Sequence, residues 1–216
     1  MSTRRVAGLL GLVALVLIVV GNVLAGSAGG DPEIGGPVAE YARELAQNPP
    51  GTTFWAGAYL EVLGFVAFLF YFPALWAVVR RSAGELEWLA VAALGAGLVA
   101  TAVKLASGPI AIVAYDRAES GLSPDVQAAL LESNGWSFVL TFALDGAFLL
   151  AVGTLAVATR VLPRWLGWSA IGFGAINLLS ILGGLEGPPA VLLFFLWVIA
   201  SSAYLIAPTR RHTTTL

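Results

Sequence analysis

The sequence predicts an all-α polytopic membrane bundle of six transmembrane helices, with both termini cytoplasmic and two short amphipathic helices in the outer loops. Three observations carry this. The chain of 216 residues is 58% hydrophobic and only 11% charged, with a mean hydropathy of +0.87, which a soluble domain of this size would not tolerate on its surface. Six apolar runs approach the ~20 residues that a helix needs to cross a ~30 Å hydrocarbon core. Arginine is concentrated in alternate loops, as membrane topology requires.

The runs form a single transmembrane domain, 1–216, with spans at about 6–26, 54–79, 88–115, 136–159, 166–185 and 190–206. The first follows Arg4 and Arg5 and ends in small residues around Ala25 to Ala28, a pattern shared with cleaved secretory signals. Its apolar run approaches 20 residues, beyond the usual ~7–15 of a signal, so it is read as a retained anchor. A twin-arginine signal fits less well, because Val6 and Ala7 follow the arginines.

The loop after the first span has Gly and Pro at both ends and a helical centre, where Pro37 can start a helix and Val38, Tyr41 and Leu45 share a face. The second span carries Pro73 and the third Gly108-Pro109, each expected to bend its helix. The next outer loop, Asp116 to Asn134, repeats the first: Ser123 can cap, Pro124 starts the helix, and Val126, Ala129 and Leu130 form the apolar stripe. Both outer helices are expected to lie along the surface, as interfacial packing or as lids. The inner loops are short and basic, with no room for a soluble catalytic domain.

Arg4, Arg5, Arg80, Arg81, Arg160, Arg164, Arg210 and Arg211 fall on one side, and only Arg43 and Arg117 on the other, among acidic residues. The first side is therefore assigned to the cytoplasm. Trp55, Trp88, Trp136, Trp165 and Tyr115 fall at span ends and are read as interfacial anchors. The first and fifth spans share an Asn followed by a Gly-rich end (Gly26, Gly29 and Gly30; Gly183 and Gly184), but the spans between them show no regular repeat.

Three ionisable residues lie where lipid should be: Glu61, Lys104 and Asp145. Counted from Phe54, Tyr115 and Trp136, they lie roughly 10–17 Å inside the same face, so they can meet at one level. A charge at helix centre costs about 2.5–3.5 kcal/mol on insertion scales, which turns such residues inward and pairs them. A lysine between two carboxylates is the least costly arrangement. Glu61 has Gly57 and Gly64 one turn away, Asp145 continues the row Ser137 and Thr141, and Lys104 continues the small-residue row Ala92, Ala96 and Ala100, with Gly108 beyond it. Asn22 and Asn177 add two amides toward the same face.

Leu162-Pro163-Arg164-Trp165-Leu166-Gly167 and the opening Arg5-Val6-Ala7-Gly8-Leu9-Leu10 resemble a loosely defined group of uncharacterised bacterial six-span integral membrane proteins. The resemblance implies a bacterial inner membrane and brings no activity and no functional residue.

The function classes narrow by elimination. The chain has no cysteine and one histidine, His212 in the C-terminal tail, so thiolate chemistry and haem held by paired intramembrane histidines are excluded, and no metal site or other cofactor is expected. A net charge of −2 gives no ground for nucleic acid. An intramembrane aspartyl protease would need Asp116 with Asp145, yet Asp116 lies at the water interface and Asp145 lacks the Gly-x-Gly-Asp setting. No catalytic residue is assigned, and a non-enzymatic role is expected. Glu61, Lys104, Asp145, Asn22 and Asn177 are the candidate site for a small ligand or protons. The alternative is a structural or accessory membrane protein in which the cluster is a helix-locking salt bridge. The expected partners are the lipid bilayer, with a small molecule or another membrane protein.

Overall fold

The computed structural model describes residues 1–27, 37–118, 122–182 and 188–208, and these are all helix and short connections, with no strand among them. The helices are α1 (Thr3–Ser27), α2 (Val38–Gln47), α3 (Thr52–Val79), α4 (Glu87–Asp116), α5 (Pro124–Thr159), α6 (Arg164–Leu182) and α7 (Pro188–Ile206). Among the described residues, four (α1, α3, α4 and α5) are long and apolar enough to cross a membrane. The chain is accordingly a membrane-embedded helical protein.

Six helices form a ring in which each packs on its neighbour: α1 on α3, α3 on α4, α4 on α5, α5 on α6, α6 on α7, and α7 back on α1. Arg4 closes the ring, donating from Nη2 to the Tyr204 carbonyl at 2.7 Å with its guanidinium 4.5 Å from the Tyr204 ring centroid. One end of the bundle therefore holds the start of α1 and the finish of α7. It also holds the turns carrying Arg80, Arg81 and Arg160, and is called the basic end below. Gly84 (φ 53°) and Arg160 (φ 57°) take left-handed backbone in these turns, Arg160 as the C-cap of α5.

The closest pairs meet through small residues, because lipid tails supply no hydrophobic drive and tight van der Waals contact must replace it. A Cβ on Gly57 would lie 2.6 Å from the Gly21 carbonyl oxygen, and one on Gly64 2.9 Å from that of Ala14, so α1 and α3 touch backbone to backbone. Gly146 and Gly174 do the same for α5 and α6, as do Gly153 and Gly167. On α4 the buried face runs through Ala90, Ala93, Gly97 and Ala100. The expected row meets it in part: Ala100 is buried and Ala96 packs on the core, whereas Ala92 is exposed, and among the described residues nothing lies within 4 Å of a Cβ on Gly108. Gly97 instead receives the ring of Phe72.

The second outer helix is not separate: it is the first turns of α5, which runs unbroken through Asn134 and Gly135 for 36 residues. Ser123 caps it, accepting from the Val126 amide at 3.4 Å, with Pro124 at its first position. Its buried face is Gln127 and Leu131, whereas Val126 and Ala129 are exposed, so the stripe sits one residue from its expected phase. The first outer helix is present as α2, with Ala42 and Leu45 buried and Val38 and Tyr41 packed beside them. Pro73 and Pro109 both lie within continuous helices. Tyr115, expected as an exposed anchor, is buried with its ring centroid 4.5 Å from that of Phe54. Gly29, Gly30, Gly183, Gly184, Arg210, Arg211 and His212 lie outside the described residues.

Two apolar clusters divide the bundle along its axis. The larger fills the half toward the basic end, with Phe68, Tyr71, Phe72, Leu75, Phe148, Leu149, Phe194 and Trp197 among its members. The smaller closes the far end, where Leu45, Phe54, Ala114, Tyr115, Ala118 and Leu131 join α2 to the ends of α3, α4 and α5. The polar groups lie between the two.

Candidate functional site

Each charged side chain is placed by the packing of its own helix. On α3, Gly57 and Gly64 let α1 approach so closely that a Cβ on Gly21 would come within 2.8 Å of the Glu61 amide nitrogen. Glu61 therefore leaves the helix beside the α1 contact, facing inward. On α4, Lys104 is one turn beyond Ala100 and Thr101, both buried. Thr101 satisfies its hydroxyl on the Gly97 carbonyl at 2.9 Å. On α5, Asp145 follows Thr141 by one turn and precedes Gly146, where α6 touches.

These residues line a cavity of about 250 Å³ whose wall includes Asn22, Glu61, Thr101, Lys104, Thr141 and Asp145. Its floor is aromatic: Phe68, Phe72 and Phe194 belong to the larger apolar cluster. The Lys104 ammonium lies 4.2 Å from the ring centroid of Phe138 and 5.8 Å from that of Phe65. An ammonium over aromatic faces is held electrostatically by the ring quadrupoles, more strongly where water is excluded. Cavity and cation thus share one low-dielectric space.

A second space of about 640 Å³ adjoins the first and shares Asn22, Glu61, Phe65 and Lys104 with it. It lies between α3 and α4 and reaches the far end, where Trp55 and Tyr115 line it together with Gly26 of α1 and Asn134 of α5. Together the two fall within the ~300–1,000 Å³ range of small-molecule sites, in the usual form of an apolar pocket with a few converging polar groups.

Of the five residues expected at the site, Asn22, Glu61, Lys104 and Asp145 border the first cavity. Asn22 is exposed and donates weakly to the Ile18 carbonyl at 3.4 Å. Asn177 lines neither space. It is fully buried in α6, donating Nδ2 to the Phe173 carbonyl at 2.9 Å, while its Oδ1 accepts no hydrogen bond among the described residues. Three further residues at the site escape a reading of the sequence. Phe65 and Phe138 flank Lys104, and Thr101 lines the cavity; an aromatic within an apolar span gives no signal until its neighbour across the bundle is known.

Elsewhere the bundle buries two further polar groups on helix junctions. Gln127 donates to the Ala114 carbonyl at 3.0 Å, tying α5 to the far end of α4, and Trp197 donates to the Leu166 carbonyl at 3.0 Å, tying α7 to α6. Among the described residues no group of three or more His, Cys, Asp or Glu side chains is arranged to hold a metal ion.

Comparison with protein-family models, with curated proteins and with solved structures finds no match to this chain.

Proposed function

We propose that the protein is a six-span inner-membrane protein of bacterial type, both termini cytoplasmic, that binds or transports a small ligand or protons at Glu61, Lys104 and Asp145. The observation that carries this reading is the cavity itself. Charges buried only to lock helices would be expected to pack tightly, because each solvent-sized gap beside them forfeits contacts without lowering the cost of burial. Here three ionisable groups from three helices border about 250 Å³ of space.

The topology rests on two supports. The helices α6 and α7 have 19 residues each, a length of about 28 Å at 1.5 Å per residue, close to the ~30 Å hydrocarbon core. The clustered arginines of the basic end satisfy the bias toward cytoplasmic Lys and Arg. The native chain has no cysteine, so single cysteines placed at Ser2 and at Asn48 report orientation directly. Labelling of Asn48→Cys, and not Ser2→Cys, by an impermeant maleimide on intact cells is the expected result.

The site itself is tested with Glu61→Gln, Lys104→Met and Asp145→Asn, each measured for thermal stability in detergent. At least two variants are expected to fold like the parent. The second reading, a helix-locking salt bridge in a structural or accessory protein, is favoured by the placement of Glu61, Lys104 and Asp145 from three helices around one cavity. It requires all three variants to lose stability.

A further inference from the structure

We infer that the ligand is a small uncharged amphiphile, a ring-sized apolar body carrying one hydroxyl or amide group, seated in the first cavity with that group at Asn22; this rests on the ligand-site reading above. The cavity wall divides by helix. Among the described residues, α1 and α7 line it with apolar side chains such as Ile18, Val19, Val191 and Phe195, and Asn22 is their one polar member. The floor is a cluster of rings, with Phe68 stacked on Phe72 at 5.5 Å and 6.0 Å from Phe194. Two hydroxyls on the α4 and α5 side spend their hydrogens on their own helices, Thr101 on the Gly97 carbonyl at 2.9 Å and Thr141 on that of Phe138 at 2.6 Å. Most of what the cavity offers is therefore apolar surface.

Volume sets the size of the body. An apolar cavity of about 150 Å³ accepts benzene. One of about 250 Å³ has room for a ring with a short side chain.

The polar group is placed by the junction with the second space, where Asn22, Glu61, Phe65 and Lys104 line both. Glu61 and Lys104 already have interactions within the protein, Lys104 over the Phe138 and Phe65 rings. Asn22 is exposed and reaches the Ile18 carbonyl only at 3.4 Å, so its amide keeps capacity both to donate and to accept. It stands one turn nearer the far end than Ile18, which belongs to the larger apolar cluster. A ligand with its body on the floor thus turns its polar group toward the second space, where Ser107, Tyr115 and Asn134 add further polar side chains.

An uncharged group suits this setting best. Burying a charge against apolar surface is costly unless it gains a partner of its own. Both a lysine and carboxyl residues border the cavity, so a ligand charge of either sign would lie near groups of both kinds. A hydroxyl or amide needs only the Asn22 amide.

The experiment is a thermal-shift titration of the full chain in dodecyl maltoside. The probe is 2-phenylethanol, compared with toluene (no polar group), ethanol (no ring), and phenethylamine and phenylacetate (charged groups of either sign). The expected result is stabilisation by 2-phenylethanol well above the other four. Val191→Trp fills the cavity and experiences the same micelle, and is expected to abolish that shift. Asn22→Leu is expected to fold like the parent and lower the 2-phenylethanol shift several-fold, to the level of toluene.

Equal 2-phenylethanol shifts in the parent and Val191→Trp overturn the inference, as does a full shift in Asn22→Leu, which decides the matter if Val191→Trp does not fold. A larger shift from phenethylamine or phenylacetate than from 2-phenylethanol overturns the uncharged ligand while leaving the ligand site standing. No shift with any probe also overturns the inference, and the ligand site is then judged separately by the stability of the three charge variants.

Discussion

The Lys104 ammonium on α4 sits 4.2 Å from the ring centroid of Phe138 on α5, at the edge of a cavity that also holds Asp145. The ring and the carboxyl group come from the same helix, about two turns apart, so α5 brings both an aromatic face and an acidic side chain to the cavity that Lys104 borders. Replacing Phe138 by Leu keeps an apolar side chain of related size and removes the quadrupole. The expected cost is about 0.5–2 kcal/mol, read as a lower thermal midpoint in detergent, with Phe138→Tyr close to the parent. An unchanged midpoint for Phe138→Leu would show that the ring serves only as packing.

Glycine positions on the bundle are not equivalent, and two of them make a matched pair. A Cβ on Gly146 would lie 2.9 Å from the Gly174 carbonyl oxygen, whereas one on Gly95 would meet nothing within 4 Å. Gly146→Ala must push α5 and α6 apart, an overpacking cost of about 1–3 kcal/mol. Gly95→Ala is expected to be neutral, or stabilising by up to about 1 kcal/mol through helix propensity. Thermal unfolding of the two variants side by side is the check, and equal destabilisation would contradict the close contact.

Gln127 is wholly buried at the far end, where its amide holds the Ala114 carbonyl at 3.0 Å. Gln127→Met keeps the length and loses the donor, leaving that carbonyl short of a partner. A loss of about 1–3 kcal/mol is expected. Hydrogen exchange should quicken at the last turn of α4 and the first turns of α5 ahead of the rest of the molecule. Uniform exchange would mean that the far end unfolds only with the whole bundle.

The two asparagines separate a site residue from a packing residue. Asn22 lines both spaces, and Asn177 lines neither. Asn22→Leu is expected to weaken any ligand-induced thermal shift several-fold with little change in the unliganded midpoint, since Asn22 is exposed. Asn177→Leu, at a buried position that lines neither space, should leave the ligand shift alone. The reverse pattern would move the site toward α6.

Those two residues also show what the sequence discloses and what it hides. Depth along a helix is a matter of counting at 1.5 Å per residue, and counting alone brings Glu61, Lys104 and Asp145 to one level. Direction around a helix is harder when lipid and core are both apolar, because the hydrophobic pattern no longer marks the inner face. Asn177 accordingly faces away from both spaces, Ala92 is exposed while Ala100 of the same row is buried, and the stripe on the first turns of α5 slips by one residue for the same reason. Asn134-Gly135 reads as a break, yet α5 continues through it, since burial of Leu131 and Gln127 on one side and Val139 on the other holds the helix across. The space between α3 and α4 has no local signature, because the residues that line it come together from α1, α3, α4 and α5, far apart along the chain.

The aromatic floor beneath the cavity has an electrical meaning. Phe72 and Phe148 are edge to face at 5.0 Å, and Phe148 and Trp197 at 5.6 Å, all nearly without exposure. This stack is a slab of low dielectric between the charged groups and the basic end, and an ion or proton resting at Glu61 faces it as an insulator. In this arrangement the aromatic cluster separates the charged groups from the basic end. Current or exchange through it requires the rings to turn aside, so voltage-clamped bilayers containing the resting protein should stay silent.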